Sequence, residues 1–103
     1  MYLVTLTYGQ PTDPEAFDAH YRDQHLPLAS KIPHVQAFAG GRCESLDGTP
    51  PAAYQQAVLT FADKSSAAAA LGSPEGQAAA ADIAGFATGG ATMTFTEVDV
   101  SLP

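Results

Sequence analysis

The hydrophobic and polar positions of this chain alternate in short runs that glycine and proline interrupt. Residues 2–8 (YLVTLTY) put Tyr2, Val4, Leu6 and Tyr8 on one face and Leu3, Thr5 and Thr7 on the other. Period-two alternation of aromatic and β-branched residues predicts a strand. Neither face is charged, so the strand should be central, with both faces covered. Gly9-Gln10-Pro11 ends it. Asp13 then suits a helix N-cap, Pro14 the first helical position, and Glu15 the positive end of the helix dipole. Phe17, Tyr21, Gln24/His25 and Leu28 fall on one helical stripe. Pro27 cannot donate to the carbonyl of Asp23, so the helix must kink or end near it.

The remaining pattern supplies four more elements. Residues 34–45 read as a second strand with a weak point, and an expected bulge, at Gly40-Gly41. Asp47-Gly48-Thr49-Pro50-Pro51 is turn chemistry. Tyr54 to Phe61 reads as a third strand that pairs with the second as a hairpin. Asp63 caps a helix through Ser65–Leu71. Gly72-Ser73-Pro74-Glu75 stops and restarts it, and residues 75–84 continue as an Ala-rich helix. The alanines there carry helix propensity and permit close packing. Gly85 and Gly89-Gly90 release the chain into a last strand, Ala91 to Val100.

The order β-α-β-β-α-β predicts one α+β domain over residues 1–103. Its sheet has four antiparallel strands with two helices on one face, a ferredoxin-like arrangement. The opposite face, richer in threonine and apolar residues than in charge, is left open. Two such faces packed together would cover it, which predicts a homodimer.

Charge and composition narrow the function classes. The formal net charge is -7, and Arg22, Lys31, Arg42 and Lys64 are the only arginines and lysines. Four scattered cations cannot displace the counterions of a phosphate backbone, which excludes nucleic acid. An anionic membrane surface is excluded on the same ground. Cys43 is the only cysteine, so no internal disulfide or thiolate metal cluster can form, and it reads as a packed thiol. The first residues show no basic start and no long apolar core. No apolar run has membrane-spanning length, and a cytoplasmic protein is expected.

His25 is the leading candidate for chemistry, because imidazole exchanges a proton near neutral pH. It sits one helical turn from Tyr21, which would orient it or bond a phenolic ligand. The plain alternatives are a packed histidine bonded to a nearby carbonyl and a core tyrosine. Tyr2, Tyr8 and Tyr54 would line a pocket or pack as strand aromatics. His20 and His25 are five residues apart, on different faces of a regular α-helix, and no carboxylate-rich spacing accompanies them, so no metal site is expected. Asp18, Asp23 and His20 read as a solvated face, and Glu97 and Asp99 as edge charges. No phosphate loop, dinucleotide fingerprint or nucleophile elbow is present.

The segment Phe17-Asp18-Ala19-His20-Tyr21-Arg22-Asp23-Gln24-His25-Leu26-Pro27-Leu28-Ala29-Ser30-Lys31-Ile32-Pro33 resembles the signature of the EthD family. The shared features are a Phe, a His-Tyr pair, a His-x-Pro-Leu step and a Lys-x-Pro before the second strand. One departure stands out: Pro33 is followed by His34, where the family often has glycine. The resemblance implies a dimeric α+β barrel and a role near the breakdown of small hydrophobic organics. It implies His25 and Tyr21 as catalytic residues, with Phe17, Leu28, Tyr8 and Lys31 around the ligand, and no cofactor. Three activities fit that pattern. The first is cofactor-independent proton transfer, isomerisation or oxidation of a small aromatic or carbonyl compound. The second is a non-catalytic module delivering such a ligand to an oxygenase. The third is a haem-binding barrel.

Overall fold

The alternation of residues 2–8 becomes strand β1 (Tyr2–Gly9) in the computed structural model, which describes residues 1–103. Tyr2, Val4, Leu6 and Tyr8 are buried, while Leu3, Thr5 and Thr7 on the other face are only half-buried. Strands β2 (Ala37–Arg42), β3 (Ala53–Phe61) and β4 (Ala91–Glu97) complete one antiparallel sheet in the order β2-β3-β1-β4. The register places Leu59, Val4 and Phe95 side by side, and likewise Ala57, Leu6 and Met93. These rows form the inner face. β2 and β4 are the edges, and Glu97 closes the exposed edge strand β4.

The expected break at Gly40-Gly41 is absent: β2 pairs with β3 without interruption from Ala37 to Arg42. The irregularity lies instead where the register shifts between Tyr8 and Gly9, opposite Tyr54. Gly40 serves a packing need. A Cβ there would lie 3.2 Å from the Tyr21 hydroxyl oxygen.

All helices lie on the inner face. Asp13 caps α1 (Pro14–His20) by accepting from the amide of Ala16, with Pro14 in the first turn as expected. As expected, the regular helix is interrupted near Pro27 and the helical segment ends at Ala29, two residues after it. A π-helical turn (Tyr21–His25) leads into α2 (Leu26–Ala29), which contains it. The wider turn spaces its hydrogen bonds five residues apart, as in the bond from the Leu26 amide to the Tyr21 carbonyl. Asp63 caps α3 (Lys64–Gly72), and Ser73 caps α4 (Pro74–Phe86) through the amide of Gly76. Gly76 is buried where the two helices meet, and a side chain there would collide with the carbonyl of Ala70.

The core joins Val4, Tyr8, Leu59 and Phe61 of the sheet to Phe17, Tyr21 and Phe86 of the helices. Phe17 is its hub. Its ring lies 5.1 Å from both Tyr54 and Phe86, 5.4 Å from Tyr8 and 5.9 Å from Tyr21.

His34, where the sequence departs from the EthD pattern, has φ of 66°, in the left-handed region that favours glycine. His34→Gly is therefore expected to stabilise the chain by about 1 kcal/mol, read as a higher urea midpoint.

Candidate functional site

His25 ends the π-helical turn and is buried, with its side chain 3% exposed. Its Nδ1 lies 2.9 Å from one carboxylate oxygen of Asp82, on α4. The other oxygen of Asp82 lies 2.8 Å from Nε2 of His20, whose side chain is 27% exposed. Phe86, one turn after Asp82, packs on both imidazoles, with ring centroids 4.7 Å from His20 and 5.0 Å from His25. The π-turn explains the convergence. Five residues separate the histidines, and a π-helical spacing brings such residues toward one face, where a regular α-helix would part them.

Protonation follows from the partners. A carboxylate only accepts, so neutral His25 must carry its proton on Nδ1 and donate it to Asp82. The lone pair of Nε2 is then free, and no protein group bonds it. Burial pushes the His25 pKa down; the hydrogen bond and charge of Asp82 oppose that without reversing it. For Asp82, burial would raise the carboxyl, but the bonds from His20 and His25 outweigh it and hold the group below the usual carboxylate value.

A stability dependence on pH follows. Because folded His25 sits below the ordinary histidine value of 6.5, the unfolded chain binds more protons in that window. The His25 contribution is complete above about 6.5 and is lost as pH falls through the folded value. The urea midpoint should drop as pH is lowered from about 7 to about 5, and the slope should flatten in His25→Gln.

His25 opens on an apolar cavity of about 30 Å³ between sheet and helices. Val4, Leu6 and Tyr8 form its floor, and Ala29, Ile32 and Ala79 lie on the helix side. The small residues of α4 leave the space. Its wall at Ala29, Ile32 and Phe38 is shared with a surface groove of about 440 Å³ running along Leu26, Val35 and Ala37. Phe38 stands between the two and is 39% exposed.

Two hydroxyls in this region are buried without a hydrogen-bond partner, those of Tyr8 and Tyr21. Burial pushes both phenol pKa values up. Leaving such a hydroxyl unpaired costs about 1–3 kcal/mol.

The expected site residues divide. His25 and Tyr8 meet at the cavity. Tyr21 neighbours His25, with ring centroids 5.6 Å apart, but its hydroxyl points over Gly40 and makes no bond to the imidazole. The group that bonds His25 is Asp82. Phe17 is buried in the core and does not line the cavity. Leu28 and Lys31 miss it as well: the extra residue of the π-turn rotates the helix, so Ala29 and Ile32 face inward instead. His20 and Asp18, expected on a solvated face, are both engaged. His20 bonds Asp82, and Asp18 bonds Arg42 and Tyr54. Asp82 itself carried a signal in the sequence. It is the only acid of α4 beyond the first turn, placed in the half where the helix dipole disfavours a carboxylate.

The EthD-domain family model matches residues 9–90. The chain is a member of the EthD family. An uncharacterized 11.0 kDa protein in the thcB-thcC intergenic region of Rhodococcus erythropolis is 55% identical to this EthD chain over 103 residues, the whole of both. An EthD family protein from Bacillus halodurans superposes with a TM-score of 0.90 at 30% identity, covering 95% of this chain and 98% of that one. More distant structures share the fold alone. One is a dimeric ferredoxin-like protein of unknown function from Jannaschia, with TM-score 0.71, 20% identity, and coverage of 95% and 100%. Another is SnoaB of Streptomyces nogalater, with TM-score 0.67, 15% identity, and coverage of 99% and 95%. The fold of this EthD domain is thus that of the ferredoxin-like dimeric α+β barrels. No helix is long and apolar enough to cross a membrane.

Proposed function

We propose that this EthD protein binds a small, largely apolar organic compound at the cavity between sheet and helices, and that His25 moves a proton on it without a cofactor. One observation carries the reading. A buried imidazole, fixed by Asp82 through Nδ1 and unpartnered at Nε2, opens on an apolar cavity. In such a dry site a positioned base acts on its ligand with little competition from water. The small cavity takes the reacting tip of the ligand, and the groove beyond Phe38 takes its body. SnoaB is described as a cofactor-independent oxygenase, and its shared fold supports chemistry supplied by side chains alone. A catabolic or biosynthetic role in the cytoplasm accords with the family and the acidic charge.

A second copy would cover the outer sheet face, where Leu3, Val58, Thr5 and Thr94 are uncapped by any helix. A dimeric mass in solution is expected.

The test is a thermal-shift screen of aromatic hydrocarbons, phenols and ketones against the wild type and Ala79→Leu, which fills the cavity from α4. Hits should raise Tm in the wild type and fail in the variant. Ketone hits are then incubated in D₂O, and His25-dependent deuterium uptake at the α carbon is read by mass spectrometry. Binding without uptake would favour the non-catalytic delivery module. Failure of every compound to bind would overturn the proposal.

A further inference from the structure

Tyr8 and His25 are the only residues around the cavity whose side chains carry an oxygen or nitrogen, and the Tyr21 hydroxyl lies outside it, over Gly40. Both phenols are buried and lack acceptors, and their rings stand 5.9 Å apart. Tyr8 and His25 line the same cavity, so an unpartnered donor and an unprotonated ring nitrogen belong to two residues around one ligand position. A hydrocarbon would leave both unsatisfied. A carboxylate or phosphate fits poorly: no Lys or Arg lines the cavity, and Asp82 already places a negative charge behind His25.

Resting on the function proposed above, we infer that the ligand is a neutral oxygen compound, a phenol or an enolisable ketone, whose oxygen accepts from Tyr8 and turns into an oxyanion as His25 removes the adjacent proton. The balance is simple. The ligand O–H or α C–H bond breaks, its proton forms the Nε2–H bond of His25, and the electron pair ends on the ligand oxygen. That oxyanion is held by the Tyr8 hydroxyl. Return of the proton, or of a deuteron from D₂O, reverses the step. Tyr8 thus does for the developing charge what a preorganised donor does in any oxyanion site. Its own lack of a partner in the free protein is the cost of holding the donor ready.

The experiment compares wild type with Tyr8→Phe by calorimetry on two matched pairs, acetophenone with ethylbenzene and phenol with toluene. The variant removes one unpartnered oxygen and should fold with an unchanged or higher Tm. Its affinity for the oxygenated member should fall up to about tenfold, while the hydrocarbon binds as before or tighter. Deuterium exchange into the methyl group of bound acetophenone should slow by on the order of 10²-fold. A loss confined to acetophenone assigns the ketone class, and one confined to phenol the phenol class. If the variant treats all four probes as the wild type does, the inference falls while the pocket stands. If none of the four binds the wild type, the pocket reading falls with it.

Discussion

Asp82→Ala is expected to slow His25-dependent proton transfer by on the order of 10³-fold or more while leaving the fold in place. Asp82 bonds Nδ1 of His25 and thereby decides which nitrogen carries the proton. Without the carboxylate the imidazole loses both its orientation and the bias toward a free lone pair at Nε2. It also loses the charge that stabilises the imidazolium formed during the step. Asp82 lies near the surface of α4, and alanine is the best helix former, so global unfolding is not the expected outcome. The two residues act as one unit. His25→Gln should cost as much as Asp82→Ala, and the double variant little more than either, because the second change removes nothing still working. Deuterium uptake by a ligand that binds all three variants measures this. Additive losses would separate the pair into independent contributors.

The second large effect concerns stability. Phe17→Ala should destabilise the domain by about 3–5 kcal/mol, the usual cost of emptying an aromatic site in a packed core. Phe17 is buried among Tyr8, Tyr21, Tyr54 and Phe86, four rings from both layers, and none can fill the space alone. Domains of this size hold only about 5–15 kcal/mol in total. The variant should therefore melt far below the wild type, with loss of near-ultraviolet signal as the readout. Phe17, expected around the ligand, lies outside the cavity on which His25 opens and packs α1 against the sheet.

Much of this fold was legible in the chain. Period-two runs located the strands, and Asp13, Asp63 and Ser73 marked three helix starts because each can accept from an amide two or three residues on. The π-turn was not legible. Pro27 signalled trouble for a regular helix but not its solution, since one extra residue in a turn leaves no compositional trace. That single residue moved the inward positions from Leu28 to Ala29 and brought His20 and His25 to one carboxylate. His25 was visible through its motif. The pairing of His25 with Asp82 was not legible, because the two lie 57 residues apart on separate helical segments. Only the three-dimensional pairing of α4 with the π-turn joins them. Gly40, whose expected bulge is absent, shows the same limit: a Cβ there would crowd the Gln56 carbonyl and the Tyr21 hydroxyl, both from other elements.

The most direct test of this account is the protonation of one ring. Nuclear magnetic resonance of the chain with nitrogen-labelled histidine, correlating ring nitrogens with carbon-bound protons across a pH titration, reports tautomer and pKa together. His25 is expected to carry its proton on Nδ1, to titrate below the ordinary histidine value, and to shift at Nε2 when a ligand occupies the cavity. A proton found on Nε2, or an imidazole that titrates at or above 6.5, would contradict it.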